Sequence, residues 1–307
     1  MTETFAIPCA AALIRCEVAG QPCVLLQTRH KPGAGIENAL LELPAGKVRE
    51  YESLFDTLRR EVAEETGLTV THIGGEAETW RGESLGYAVQ TSEPYCVTQN
   101  LSGGYSILLS TFLCEAEGEA RGSTESHSPR WVPLTEVLGL LDTQPEIFYP
   151  MHIGALRQYA ARICADVGHV FVYGTLKSGQ RNAAWASAVA APISVQPATL
   201  CGFTLHHLGR YPGVLPGGGE VSGELLTYPP EALGAALAHL DELEGYGGHN
   251  HPDNLFAREL RRVTLPDGRT VTAWVYVYAR PLHQPSPVSG GVWQDDLPLA
   301  FPKRSHP

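Results

Sequence analysis

Residues 46–68 read GKVREYESLFDTLRREVAEETGL, and their spacing decides how the first half of the chain is built. Leu54, Leu58 and Val62 recur every four residues, which describes one apolar stripe of a helix. The helix is expected from about Glu52 to Thr66, with Gly67 at the C-terminal stop, where a left-handed residue is favoured. Glu61 and Glu65 stand one turn apart, and Glu64 follows Glu61 by three residues, so three carboxylates crowd a neighbouring face. Like charges at that spacing destabilise a helix and raise one another's pKa. A hard divalent cation relieves the repulsion, because Mg2+ and Mn2+ prefer oxygen ligands. Arg60, inside the run, can hold a carboxylate by a bidentate pair and so fix its orientation. The plainer reading is a solvated acidic face, which is what most charge runs are. The full set of charged and glycine positions speaks against it.

Those positions fit G-x5-E-x7-R-E-U-x-E-E-x-G-U, with U aliphatic, running from Gly46 through Glu52, Arg60, Glu61, Val62, Glu64, Glu65 and Gly67 to Leu68. The pattern resembles the Nudix box, the signature of hydrolases that cleave nucleoside diphosphates linked to another moiety. The resemblance implies an α/β/α sandwich with a mixed sheet over residues 1–166, Mg2+ (or Mn2+) as cofactor, and a small-molecule nucleotide derivative as partner. It makes Glu61 and Glu65 the leading metal-ligand candidates, Glu64 a third ligand or the water-activating base, and Glu52 an outer ligand. The base can instead lie in a later loop, where Glu117, Glu119 and Glu125 all precede Trp131. ELPAG, directly before the box, resembles the ADP-ribose and nucleotide-sugar branch of the family, although Gly82, Glu83 and Ser84 stand where that branch usually has a proline. ADP-ribose or a nucleotide sugar is therefore the first expectation. Arg29 and Arg81 are candidates for substrate contacts, as are Tyr95 and Tyr105.

The chain has 307 residues, enough for two domains of ordinary size. A hydrophobic content of 43% with 18% charged residues describes a globular protein, and its apolar stretches fall short of a membrane span. The N-terminus MTETFAIPCAAALIRCE has no basic start before its apolar run, so no secretion signal is read. Seven cysteines without a CxxC pair suggest buried free thiols in a reducing cytoplasm. The net charge is −11, and the acidic excess lies in residues 1–167. That balance argues against a nucleic-acid polymer, which needs a basic footprint. A homodimer is left open.

Near Gly168 the pattern restarts. GHVFVYGTLKSGQRN, residues 168–182, is a short strand followed by a glycine-bounded turn. A phosphate-loop reading fails, because Gln180 stands where that loop needs lysine. Val170 to Leu176 instead resembles the opening of gamma-glutamylcyclotransferase-like (AIG2-like) proteins. ATLCGFTLHHLGRYPGV, VSGELLTYP, HLDELEGY (239–246) and TAWVYVYA continue the likeness in order. The resemblance covers about 168–281 and implies a small mixed β-barrel with helices, giving an α/β (α+β) chain overall. It implies a gamma-glutamyl compound as partner, Glu244 as the catalytic glutamate, and Tyr173, Gly174, Thr175 and Leu176 as the binding turn. The alternative for Glu244 is a surface carboxylate at a helix end. One position departs from the family: Phe256 stands where a tyrosine often precedes the match to Arg258. The proline-rich stretch 282–307 is expected as a loosely packed or disordered tail.

Overall fold

The computed structural model describes residues 3–295 apart from 32, 34, 283 and 285. The chain divides into two compact units, one formed by residues up to Val18 with Pro22–Ala161, the other by Ala19–Gln21 with Arg162 onward.

In chain order the first unit holds β1 (Ile7–Val18), β2 (Gln21–Arg29), β3 (Leu41–Glu42), β4 (Ala45–Lys47), α1 (Leu54–Thr66) and β5 (Thr69–Ile73). It continues with β6 (Arg81–Ser84), β7 (Tyr87–Gln90), β8 (Cys96–Gln99), β9 (Ile107–Glu117), β10 (Ser126–Pro133), α2 (Leu134–Thr143) and α3 (Pro150–Asp166). Among the described residues eight strands make one sheet, with the path β10-β2-β1-β9-β5. β1 runs parallel to β9, pairing Ile7 with Ile107 and Ile14 with Cys114, and the other pairings are antiparallel, so the sheet is mixed. Residues 9–14 of β1 are buried without alternation, as befits a central strand covered on both faces. Ala10, Ala12 and Ile14 pack with Phe55, Leu58 and Val62 of α1, while Cys9 and Ala11 pack with Tyr149 and Met151. Burying each of those large α1 side chains contributes roughly 1.5–3 kcal/mol.

Ser53 caps α1, its Oγ accepting from the Asp56 N–H at 3.0 Å, and Gly67 closes it with φ 70°. α3 begins at Pro150. Proline's fixed φ suits a first helical position. The run from Tyr87 to Gln99 forms two strands, Tyr87–Gln90 and Cys96–Gln99. Pro94 falls between them and has no N–H to give a ladder.

The second unit contains β11 (His169–Val172), β12 (Ser194–His207), β13 (Pro212–Thr227), α4 (Pro230–Glu244), β14 (Phe256–Thr264) and β15 (Thr270–Tyr278). Its five strands close a barrel in the order β11-β13-β12-β14-β15. β11 runs parallel to β15, with Val170 opposite Trp274, and the remaining pairs are antiparallel. α4 buries Leu233, Ala236, Leu237 and Leu240, spaced three and four apart, against Val170, Leu226 and Trp274. Part of the expected loose tail is in fact packed. Trp293 is 2% exposed in the barrel core, and the His207 N–H donates to the Ser286 carbonyl at 2.8 Å. A large aromatic in a stretch otherwise rich in proline, serine and glycine supplies the apolar anchor that composition alone conceals. The remainder of that tail, 296–307, lies outside the described residues.

The described cysteines are free thiols, with Cys9, Cys23 and Cys114 buried and Cys201 exposed. Among the described residues no helix is long and apolar enough to cross a membrane. Because the division falls within α3, a fragment ending at Val167 keeps that helix whole. We expect it to stay folded, with a cooperative thermal transition of its own; a fragment that unfolds on isolation would show that the two units share a core.

Candidate functional sites

α1 carries its carboxylates along the wall of a cavity of about 640 Å3 in the first unit. Glu61, Glu64 and Glu65 line it, and Glu52 does not. Arg60 explains the arrangement. Its Nε meets Glu52 Oε1 at 2.7 Å and its Nη2 meets Glu52 Oε2 at 2.8 Å, the bidentate pair that the sequence suggested. Its Nη1 reaches Glu61 Oε1 at 2.5 Å and Glu64 Oε2 at 3.3 Å. The hydrogen bond from Arg60 holds the Glu52 carboxyl down to about 2, helped by the Arg49 N–H and the Thr57 hydroxyl.

Glu65 is 3% exposed, on the side of α1 that meets the sheet. Its Oε2 accepts from Gln27 Nε2 at 2.7 Å and from the Ala45 N–H at 3.1 Å. Lys31 Nζ lies 3.4 Å from its Oε1 and 3.3 Å from Glu125 Oε2. Burial pushes the Glu65 carboxyl up to about 7, more strongly than Lys31 pulls it down. Glu61 crosses the neighbouring residue, Gly46. A Cβ there would stand 1.9 Å from the Glu61 carboxyl carbon, so the box glycine is what lets this carboxylate lie against β4. α1 and β4 thereby bring Glu61 and Glu65 side by side.

The four carboxylates do not make the expected metal cluster as they stand. Among the described residues no three His, Cys, Asp or Glu side chains gather so as to hold a metal ion. The neutralising charges are Arg60, on Glu52, Glu61 and Glu64, Arg49, on Glu64, and Lys31, on Glu65. The donor set nevertheless suits a hard cation: it is all oxygen, and the buried Glu65 Oε1 and Glu42 Oε1 have no hydrogen-bond partner.

Of the three later-loop acids, Glu125 lines the cavity, whereas Glu119 pairs with Arg121 at 2.7 Å. Arg29 is on the wall, held by Glu42 at 2.9 Å and Glu37 at 3.3 Å and lying 4.5 Å over the Tyr149 ring. Arg81 is exposed on the β6–β7 hairpin and Tyr95 packs on Tyr159, so neither lines the cavity, while Tyr105 does. Sequence reasoning missed Glu42 and Lys31. Glu42 had a signal, a lone carboxylate between Leu41 and Leu43, both buried. Lys31 had none.

The second unit has a cavity of about 110 Å3. The turn after β11 forms one side, with Tyr173, Gly174, Thr175 and Leu176, and the end of α4 forms another, with Leu243 and Glu244. A Cβ on Gly174 would lie 2.6 Å from Pro212 Cγ, so this close approach requires glycine. Among the described residues nothing accepts from the N–H groups of Gly174, Thr175 or Leu176. Glu244 is the last residue of α4, which Gly245 ends with φ 63°. Among the described residues it has no ion pair, and burial alone pushes its carboxyl up to about 7. Asp241, one turn earlier, is tied down by Arg258 Nη1 at 2.7 Å and by the Tyr276 hydroxyl at 2.7 Å. Tyr276 in turn accepts, through its carbonyl, from the Tyr173 hydroxyl at 2.7 Å. Of the acids in the run 241–244, Glu244 is thus the one poised in a cavity without a counter-charge. Phe256 is buried in the same wall and brings no hydroxyl.

The sequence matches two family descriptions: NUDIX domain over residues 7–151, and Gamma-glutamyl cyclotransferase, AIG2-like, over residues 170–295. The "Gamma-glutamylcyclotransferase family protein ytfP" of Citrobacter rodentium is 34% identical over 126 residues, which span 41% of this chain and 95% of that protein. The protein of the same name from Escherichia coli K12 is 34% identical over 128 residues, spanning 41% and 96%. Among solved structures, the MutT NUDIX hydrolase from Burkholderia pseudomallei is similar at 20% identity and a TM-score of 0.36, over 50% of this chain and 98% of that one. A likeness at that score bears on neither substrate nor chemistry.

Proposed function

Because the chain belongs to the gamma-glutamylcyclotransferase family through residues 170–295 and carries a NUDIX domain over residues 7–151, we propose that it is a bifunctional enzyme. Its first reaction is hydrolysis of a nucleoside diphosphate linked to another moiety, with ADP-ribose or a nucleotide sugar as the first substrates to try. Its second is gamma-glutamyl cyclotransfer, which releases 5-oxoproline. The observation that carries the second reading is the unpaired Glu244 facing the Tyr173–Leu176 turn across one small cavity.

In the first site Glu61 and Glu65 would hold Mg2+ or Mn2+, with Glu64 as a third ligand where it is not the base. A bound divalent cation would offset the phosphate charge and make water a stronger nucleophile. Arg29, Lys31, Lys47 and Arg49 of the same wall give the diphosphate its remaining counter-charge. Glu64 and Glu125, the more exposed acids of the wall, are the candidates to take the proton from water. Arg60 keeps Glu61 and Glu64 aimed into the cavity from below. Gly46→Ala tests this geometry. Its Cβ displaces the Glu61 carboxylate while leaving the apolar core alone, so the melting temperature should change little and hydrolysis should fall at least tenfold, in line with about 10- to 100-fold for the loss of groups that orient a metal ligand. Unchanged turnover would remove Glu61 from the site.

In the second site the substrate supplies its own nucleophile. Glu244 takes a proton from the α-ammonium group, the freed amine attacks the γ-carbonyl carbon, and a five-membered ring closes. The oxyanion meets the N–H groups of Gly174, Thr175 and Leu176. The ring nitrogen then loses its second proton to water while Glu244 gives its proton to the leaving nitrogen, the old C–N bond breaks, and 5-oxoproline departs with the amine. A carboxyl that titrates near neutrality suits both transfers. Phe256 favours a second reading, in which this domain is a binding or assembly module without catalysis, because a pocket hydroxyl is missing. Assay of 5-oxoproline from a gamma-glutamyl panel separates the two.

A further inference from the structure

The second cavity has one basic side chain on its wall, Arg181, and that side chain has no acidic partner among the described residues. Its backbone, in contrast, is held firmly. The Arg181 N–H donates to Asp295 Oδ2 at 2.7 Å, and the next residue's N–H, from Asn182, donates to the Thr175 carbonyl at 2.9 Å. Asp295 is itself fixed, its N–H donating to Gln180 Oε1 at 2.7 Å and its Oδ1 accepting from Trp293 Nε1 at 3.1 Å. The guanidinium of Arg181 is exposed, whereas Tyr173, Thr175, Leu176, Phe256 and Tyr276 of the same wall are buried, so Arg181 stands at the rim.

We propose that Arg181 is a specificity-determining residue that receives a carboxylate on the leaving-group side of the gamma-glutamyl substrate. The inference rests on the cyclotransfer reading above and adds what the site selects. Glu244 and the Tyr173–Leu176 turn, which take the glutamyl unit, line the cavity, with the turn buried and Arg181 at the rim. Whatever is attached beyond the γ-carbonyl must extend past the rim. An amino-acid leaving group brings its own carboxylate to that place, and a planar guanidinium on a fixed backbone can take it bidentately. An alkylamine leaving group brings nothing for Arg181 to hold. Solvent exposure screens the pair, so its effect is modest and falls with salt.

The test uses the full chain and two substrates that differ at the leaving group alone in this respect, gamma-glutamylalanine and gamma-glutamylethylamide, followed by 5-oxoproline release. The unmutated protein should favour gamma-glutamylalanine about fivefold or more in kcat/KM, mainly through KM, with the preference shrinking as ionic strength rises. Arg181→Gln should bring the ratio near one, and Arg181→Lys should keep part of it. Equal use of both substrates by the unmutated protein overturns the proposal. So does an equal loss for both in Arg181→Gln, which would place Arg181 on the glutamyl unit's own carboxylate. If neither compound is turned over, Arg181 is read by binding instead. Calorimetric titration of the two compounds then reads Arg181 directly: tighter binding of gamma-glutamylalanine that Arg181→Gln abolishes supports the proposal, and equal or absent binding overturns it.

Discussion

Glu244→Gln is expected to lower 5-oxoproline release at least about 100-fold, the usual contribution of a positioned acid or base. Gln keeps the side chain's shape but accepts no proton at neutral pH. The cause is the location of this carboxylate: it ends α4 inside a cavity, without the Arg258 and Tyr276 contacts that neighbouring Asp241 enjoys. Burial raises its pKa to about 7, and a base must be ionised to act, so the acidic limb of kcat/KM should have its midpoint near pH 7 and level off above it. Stability should show the opposite trend. The folded carboxyl keeps its proton more tightly than the unfolded one, whose ordinary value is 4.5, so the native state loses stability as pH rises from about 4.5 to 7. Glu244→Gln removes that penalty, and its melting temperature relative to the unmutated protein should climb between pH 5 and pH 8. A flat difference would mean that Glu244 is not buried as an acid, and undiminished 5-oxoproline release would mean that another carboxylate moves the proton.

The second large effect is expected at Glu65. Glu65→Gln removes one ligand charge from the wall that also holds Glu61, while the amide oxygen can still accept from the Ala45 N–H. Groups that merely orient a ligand are worth about 10- to 100-fold, so hydrolysis of a nucleoside diphosphate derivative should fall by more than that. Binding of Mn2+, followed by its paramagnetic resonance signal, should weaken in parallel. The thermal transition should remain cooperative. Full hydrolysis in excess EDTA would contradict the metal assignment, and unaltered Mn2+ affinity in the variant would remove Glu65 from it.

Much of this arrangement was legible because its parts lie close together in the sequence. The helix of the box, its Gly67 stop and the grip of Arg60 on a carboxylate all follow from spacing within a single element. The turn from Tyr173 to Leu176 was legible through the family resemblance that Val170 to Leu176 carries. Partners that meet across the fold were not. Lys31 reaches Glu65 and Glu125 from a different part of the chain, and its sequence surroundings carry no mark of that role. Glu42 joins Arg29 only because β2 and β3 pair in the register that sets Gln27 opposite Glu42. Asp241 and Glu244 look equivalent in the run DELE; tertiary contacts neutralise one with Arg258 and leave the other alone. The packed segment around Trp293 was hidden by composition, since prolines and glycines outnumber the one aromatic that anchors it.

The most direct measurement of the central claim, two separate chemistries in one chain, is a product analysis on a single preparation of the unmutated protein. It is incubated with Mg2+ and a panel of nucleoside diphosphate derivatives, and separately with a panel of gamma-glutamyl amines and dipeptides. The account predicts cleavage of at least one nucleotide derivative, abolished by EDTA, together with release of 5-oxoproline from at least one gamma-glutamyl compound. Nucleotide cleavage with no 5-oxoproline from any member of the second panel would contradict it and leave the second unit as a binding module.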